Sequence, residues 1–451
     1  MSIRLLKYVS CDIGLPCSAN AWHAACAENL RVLGWAQTLY DTDVWIRAVG
    51  KNEYEYIGTH TDDIICVSSR AQQSMEEIHH VFPMKGINPP KYHLGVDYRK
   101  IDGHWHMGTQ THCQEALVKA ADILGKRIVK TPGKSHRIEG LKFVSTPMAD
   151  NAKPEVNCGK LAVPMGANQH RQYQQLMGLA QWLITIGRID LNFSVISMAR
   201  FNASPQVGHW QFVERIFGYL NAHPAMWTRI DLRPDSRLDE TSNPWPKENN
   251  WSTLYSDSII EEGEARHPKP RGATLDPVVY FDSNFAHDEL TRKSVTGSLT
   301  MVGRTPIASF VKRQGCIATS TYGAEMIACK VGVEEAIDVR AYCRSLGVPI
   351  PKKTRVIGDN LGQLQSCCNP GAEMKKKTYS VCYHFIRENV AVGNIELLKI
   401  DTKLNYADFN TKPLGNTLFW GFHGSLFTLC NWDGSSASRS CPVRAPRSHS
   451  A

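Results

Sequence analysis

Between residues 276 and 430 the chain alternates in a way few folds can accommodate. PVVYFD is β-branched and aromatic, as a strand requires. TGSLTMVG and IASFVK read as two more strands, joined by the turn signal GRTP. A long helix is predicted over about 321–346, then the strand RVIGD, a short helix, and a helix near 381–391. The strand NIELLKI and a last helix starting near Asn405 complete the run. Three strands on short turns, then helix–strand–helix–strand–helix, predict one mixed α/β sheet. It begins antiparallel and continues through parallel crossovers.

Four acidic residues fall at the ends and starts of these elements. Asp282 ends the first strand, Glu325 lies in the first turns of the long helix, Asp359 ends the strand RVIGD, and Asp408 lies near the start of the last helix. They are 43, 34 and 49 residues apart, which is no local motif. Such spacing makes sense only if strand ends and helix starts converge at one edge of a sheet. Three or four carboxylates and little else form the ligand set a hard cation such as Mg²⁺ prefers. Two such ions about 3.5–4 Å apart can activate a water and stabilise a leaving oxygen. Acids also collect at helix N-termini for dipole reasons alone, so position by itself does not establish a metal site.

Upstream, residues 1–48 are expected to be mainly helical, with a helix around Trp22–Leu33 stopped by Gly34. Residues 54–68 read as strand, tight turn at Thr61–Asp63, and strand; 73–82 and 108–125 read as helices, with YHLGVDYRK a strand between them. Residues 145–167 are Pro-containing and aperiodic, a linker. Two amphipathic helices follow, near 173–187 and from about Pro205, the second carrying Trp210, Val213, Ile216, Phe217 and Leu220 on one side. Trp182 and Trp210 are read as core rather than as stacking platforms. Residues 232–275 read as a surface insertion, and 433–451 as a disordered tail.

The chain has 451 residues and a net charge of +8, an excess that suits a polyanionic partner without requiring one. Its 14 cysteines include no Cys-x-x-Cys pair, and Cys367 and Cys368 are adjacent, so neither zinc nor a disulfide framework is indicated. No signal peptide and no apolar run of membrane-helix length is read in the sequence. A reduced cytoplasmic or nuclear setting, with no membrane partner, is the expectation.

Read together, the blocks resemble the C-terminal part of a copia-type retrotransposon Pol polyprotein, in family order over about residues 10–430. VVYFDSNFAHDELTRKSVTGSLTMVG is similar to the segment carrying the first metal Asp, here Asp282. ATSTYGAEMIACKVGVEEAIDVRAYCRSLGVPI resembles the S-T-x-A-E helix and puts the catalytic Glu at Glu325. VIGDNLGQLQ resembles the G/C-D-N block with Asp359, and NYADFNTKPL the A-D-x-x-T-K-P block with Asp408. The resemblance implies a ribonuclease H-like α/β (α+β) fold: a mixed five-stranded sheet with flanking helices. A partial reverse transcriptase palm and helical connection would precede it. The implied domains are 1–145, partial reverse transcriptase; 146–275, linker, connection and insertion; 276–430, ribonuclease H-like; and 431–451, tail. It also implies an enzyme that hydrolyses RNA in RNA–DNA hybrids with two Mg²⁺ ions, Mn²⁺ substituting, and leaves a 3′-hydroxyl and a 5′-phosphate. Asp282 would bridge both ions, Glu325 and Asp359 completing one site and Asp408 the other. The implied location is the cytoplasm, in a virus-like particle, or the nucleus, and the rest of the Pol polyprotein is an implied partner.

The polymerase half departs from the family. THTDDIICVS occupies the place of the Tyr-Val-Asp-Asp hairpin, giving Asp62 and Asp63, but with His60-Thr61 before them. The third carboxylate and the fingers lie in earlier family segments that these blocks do not include, so polymerase activity is not expected. KIDTKLNY, before Asp408, holds no His of the kind many cellular ribonucleases H use there, so turnover is expected to be slow unless another group substitutes. His384 is a candidate accessory residue, although helical His more often caps or packs. Lys375, Lys376, Lys377, Lys312 and Arg313 are candidate phosphate contacts; a solvated face is the ordinary reading of such residues. The alternative to a nuclease is an inactive or domesticated remnant that binds nucleic acid without catalysis, or a purely structural scaffold.

Overall fold

The run Val278–Phe281 is apolar on both faces because its strand is the centre of a sheet covered on both sides. In the computed structural model, described for residues 2–8, 18–61, 63–130, 136–155, 161–247, 249–252, 254–255, 266–374 and 377–429, this strand is β1, Pro277–Asn284. Antiparallel β2, Val295–Val302, pairs with it along its full length, and β3, Thr305–Arg313, pairs antiparallel with β2. The long helix α1, Thr321–Ser345, leads to β4, Thr354–Gly358, which lies parallel to β1 on its other side. Helices α2, Leu361–Cys368, and α3, Ser380–Ala391, lead to β5, Ile395–Lys399, parallel to β4. The sheet order is therefore β3-β2-β1-β4-β5. A short helix α4, Asp408–Thr411, and α5, Asn416–Leu426, close the module. This is the mixed five-stranded sheet with flanking helices of the ribonuclease H-like fold.

Alternate β1 residues serve different layers. Phe281 meets α1 at Gly332, where an added Cβ would lie 3.3 Å from the Phe281 Cβ. Val278 and Tyr280 join a core that also takes in Tyr406, Phe409, Phe419 and Phe422. The same core includes Leu176, Leu183, Val213, Ile216 and Phe217 of the two helices Ala167–Thr185 and Trp210–Ala222. The apolar stripe Val213, Ile216, Phe217 and Leu220 is fully buried, as its spacing predicts.

Contact density divides the chain into two compact units that do not follow its linear order. One comprises residues 1–94, 259–276 and 337–353; the other comprises 95–258, 277–336 and 354–451. In the first, Ser2–Tyr8, Ala36–Gln37, Val44–Val49, Glu53–His60, Asp63–Ser68 and Met84–Asn88 form a six-stranded sheet. Helices Ser18–Val32 and Ala71–Val81 belong to the same unit, and Gly34, at φ +82°, ends the first, as the sequence indicates. The second unit also holds a small antiparallel sheet of Val96–Ile101, His104–Gly108, Met226–Arg229 and Thr428–Leu429.

Several expectations need correction. Residues 1–48 are not mainly helical: three of the six strands lie there, because sheet pairing outweighs weak local propensity. A helix, Asn192–Ala199, sits between the two expected amphipathic ones. Trp182 is not core; it is 48% exposed, its ring 5.9 Å from that of His112. The helix expected from Asn405 begins at Asp408, because Asn405 is held in the turn before it. The segment 232–275 is not merely a surface excursion: Ser242 exchanges both backbone hydrogen bonds with Lys399, on the edge strand β5. The expected tail, 433–451, lies outside the described residues.

Gly297 controls one close approach. It faces Asp282 across the β1–β2 ladder, and a Cβ there would lie 2.6 Å from Thr411 Cγ2 and 2.8 Å from Asn410 Cβ. Gly297→Ala should therefore push α4 off the sheet and destabilise the chain by about 1–3 kcal/mol, read as a lower urea midpoint.

Candidate metal centre

The four acids reach one corner by four different devices. Asp282 is carried on the buried central strand and is 1% exposed. Its Oδ2 accepts a hydrogen bond from the Thr411 hydroxyl. Glu325 projects from the start of α1, where Gly323 leaves room for the ring of Tyr379, which a Cβ would strike at 2.3 Å. The Tyr379 hydroxyl in turn accepts from Thr319 N, 3.2 Å. Asp359 follows β4, and the next residue, Asn360, caps α2 by accepting from Gln363 N at 3.1 Å. Gly358 permits the Phe281 ring to lie across the strand end; a Cβ there would meet it at 2.4 Å. Asp408 opens α4. Buried Asn405 ties the preceding turn to β1 by donating to Phe281 O at 2.9 Å, and its own Oδ1 accepts from Ala407 N.

Oxygens of Asp282, Glu325 and Asp359 all lie within 4.8 Å of one another. Among the described residues, Glu325 Oε2 is buried with no hydrogen-bond partner. Burial first, and then the charges of Asp282 and Asp359, push the Glu325 carboxyl well above the usual carboxylate range. Burial and Asp282 also raise Asp359. Burial, then Asp282, push Asp408 up to about 7, although Lys412 works in the opposite direction. Packed anions with a spare buried oxygen are what a divalent cation relieves. The donor set therefore fits a hard divalent ion.

Sequence reasoning assigned no role to Lys412. Its Nζ lies 2.6 Å from Asp408 Oδ1 and 3.3 Å from Asp282 Oδ2. Burial would lower its pKa, but Asp282 and Asp408 outweigh burial and hold the ammonium above its ordinary value. The signal was present in NYADFNTKPL: a basic residue four positions after an acid on a helical turn falls on the same face.

The other candidates are spread around the chain. Asp63 opens the strand Asp63–Ser68, its Oδ2 3.7 Å from His93 Nδ1; Asp62 lies outside the described residues. Lys377 begins a short 3-10 turn and is exposed, while Lys375 and Lys376 lie outside the described residues. Lys312 is exposed on β3. Arg313 is engaged: its Nη1 donates to Asp288 Oδ2 at 2.7 Å. His384 Nδ1 is hydrogen-bonded to the Tyr255 hydroxyl at 2.8 Å.

No family model matches the chain. Its curated homologues are retrovirus-related Pol polyproteins of plant transposons. It is 23% identical over 417 residues to that of transposon RE1 of Arabidopsis thaliana, covering 92% of this chain and 24% of the relative. It is 23% identical over 424 residues to that of transposon TNT 1-94 of Nicotiana tabacum, covering 92% and 28%. The chain thus spans about a quarter of the length of the curated relatives it matches. Among solved structures, the N-terminal RNase H domain of rv2228c from Mycobacterium tuberculosis is 13% identical, with a TM-score of 0.23, covering 34% of this chain and 99% of that one. Strand order and register define the fold here, not that superposition. No helix among the described residues is long and apolar enough to cross a membrane.

Asp288 generates a pH-dependence. It is 2% exposed; burial raises its pKa, but the Thr291 backbone amide, Arg313 and Arg200 outweigh burial and hold it below the usual range. Its stabilising contribution is present above about pH 4 and is lost as pH falls through the unfolded value toward the lower folded one. Asp288→Asn should cost about 2–4 kcal/mol at pH 7. In urea unfolding from pH 7 to 3, the gap from wild type should close as the pH drops.

Proposed function

We propose that the module from Pro277 to Leu429 is a nuclease that hydrolyses the RNA strand of RNA–DNA hybrids, with Mg²⁺ as its cofactor and Mn²⁺ as a substitute. The observation that carries this reading is the convergence of Asp282, Glu325 and Asp359 oxygens within 4.8 Å, with Asp408 adjoining through Lys412. Bound there, divalent ions supply an activated water and charge neutralisation at the leaving oxygen. Asp282, Glu325 and Asp359 would hold one ion, and Asp282 with Asp408 the other. Thr411 orients the Asp282 carboxylate, and Asn405 fixes the turn that delivers Asp408.

The hybrid would be recognised by groove shape and 2′-hydroxyls rather than by base edges. Lys312 and Lys375–Lys377 are proposed phosphate contacts. Arg313 is the weaker candidate, since binding phosphate would require it to leave buried Asp288. The domains upstream are proposed to be reverse transcriptase-derived palm and connection, without polymerase activity, working beside the rest of a Pol polyprotein in a virus-like particle or the nucleus.

A labelled RNA–DNA hybrid with Mg²⁺ tests the reading. Wild type should cleave it, and Asp359→Asn should cleave at least about 100-fold more slowly, roughly 3 kcal/mol of transition-state stabilisation. Equal rates in the two proteins would sink the assignment. Salt-dependent hybrid binding with no cleavage by either would instead identify a binding remnant.

A further inference from the structure

The four acids are not equivalent. Asp282, Glu325 and Asp359 form one cluster, whereas Asp408 shares a cation of the chain's own with Asp282. Lys412 Nζ is within 2.6 Å of one carboxylate and 3.3 Å of the other. An ammonium there neutralises the pair that the second ion would need. Lys412 follows the last residue of α4 in extended conformation, φ −130° and ψ 146°. Its side chain is 30% exposed, so it has a route outward. The Thr411 hydroxyl, on the neighbouring residue, also bonds Asp282 Oδ2, so this oxygen stays oriented whether or not the ammonium is there.

We propose that Lys412 is a displaceable counter-cation: it occupies the position between Asp282 and Asp408, and the second divalent ion binds only when the ammonium swings out. The inference rests on the two-ion nuclease reading and deepens it. It makes Lys412 a positioning residue that sets the order of ion binding. The Asp282–Glu325–Asp359 cluster fills first. The second ion meets a site whose competent form is only a fraction of the population, and its apparent affinity falls by that fraction. The Lys412 side chain then carries its charge toward solvent at the moment the second ion arrives. A group that moves in this way ties second-ion occupancy to whatever draws the ammonium outward, a phosphate of the substrate included.

Titration of the full chain with Mn²⁺, followed by electron paramagnetic resonance, reads both ions without substrate. Wild type should show one tighter and one weaker ion. Lys412→Met should leave the first and tighten the second about tenfold, with the signature of a coupled Mn²⁺ pair at lower Mn²⁺. An unchanged second affinity in Lys412→Met overturns the proposal. A measurement on wild type alone guards against a variant that fails to fold. Reductive methylation of Lys412, read by mass spectrometry, should be slow without Mn²⁺ and rise as the second ion binds. Reactivity that stays flat through saturation overturns the proposal equally. The two readings fail differently: no bound Mn²⁺ in wild type or variant removes the nuclease reading as well, whereas two ions indifferent to Lys412 remove this one alone.

Discussion

Like charges packed at one corner of a sheet govern the second unit. Four carboxylates, three of them nearly inaccessible, repel one another and lose hydration together. Three neighbours answer part of that cost. Thr411 donates to Asp282, Lys412 lies between Asp282 and Asp408, and Asn405 pins the approaching turn. Glu325 Oε2 is buried without a hydrogen-bond partner among the described residues. Glycines stand where the corner must be tight: Gly297 under α4, Gly323 under Tyr379, and Gly358 under Phe281. A side chain at any of these would move a carboxylate-bearing element, so packing and electrostatics are set by the same few residues.

The sheet and the acids were legible because each strand carries its own β-branched or aromatic run, and each acid sits at a run's end. Asp282, Glu325 and Asp359 could be named from sequence, and the structure brings their oxygens together. Lys412 went unassigned because its role depends on where Asp282 lies, 130 residues earlier in the chain. The N-terminal sheet was harder for a different reason. Ala36–Gln37 is only two residues long and Ser2–Tyr8 pairs with strands more than fifty residues away, so local pattern held little of the information. Trp182 misled because an apolar residue on an amphipathic helix is ordinarily core, yet it is half exposed, with its ring beside that of part-buried His112.

Basic residues also divide by what they touch. Arg313 and Arg200 converge on buried Asp288, and Arg188 makes a bidentate pair with buried Asp190 at 2.9 and 2.8 Å. These guanidiniums hold parts of the fold in place. Lys312 and Lys377 are exposed, which is where a phosphate could reach them. The net positive charge of the chain therefore overstates the cations available to a partner.

Ser242 gives the least conspicuous segment a structural duty. It pairs with Lys399, on the outermost strand of the five-stranded mixed sheet. A fragment begun at Pro277, on the view that residues 232–275 are a surface insertion, would leave Lys399 on that rim with an open backbone donor and acceptor. Unpaired rims recruit strands from other molecules. The boundary of the five-stranded module therefore lies upstream of its first strand, at a residue that belongs to the connection by sequence and to the sheet by hydrogen bonding.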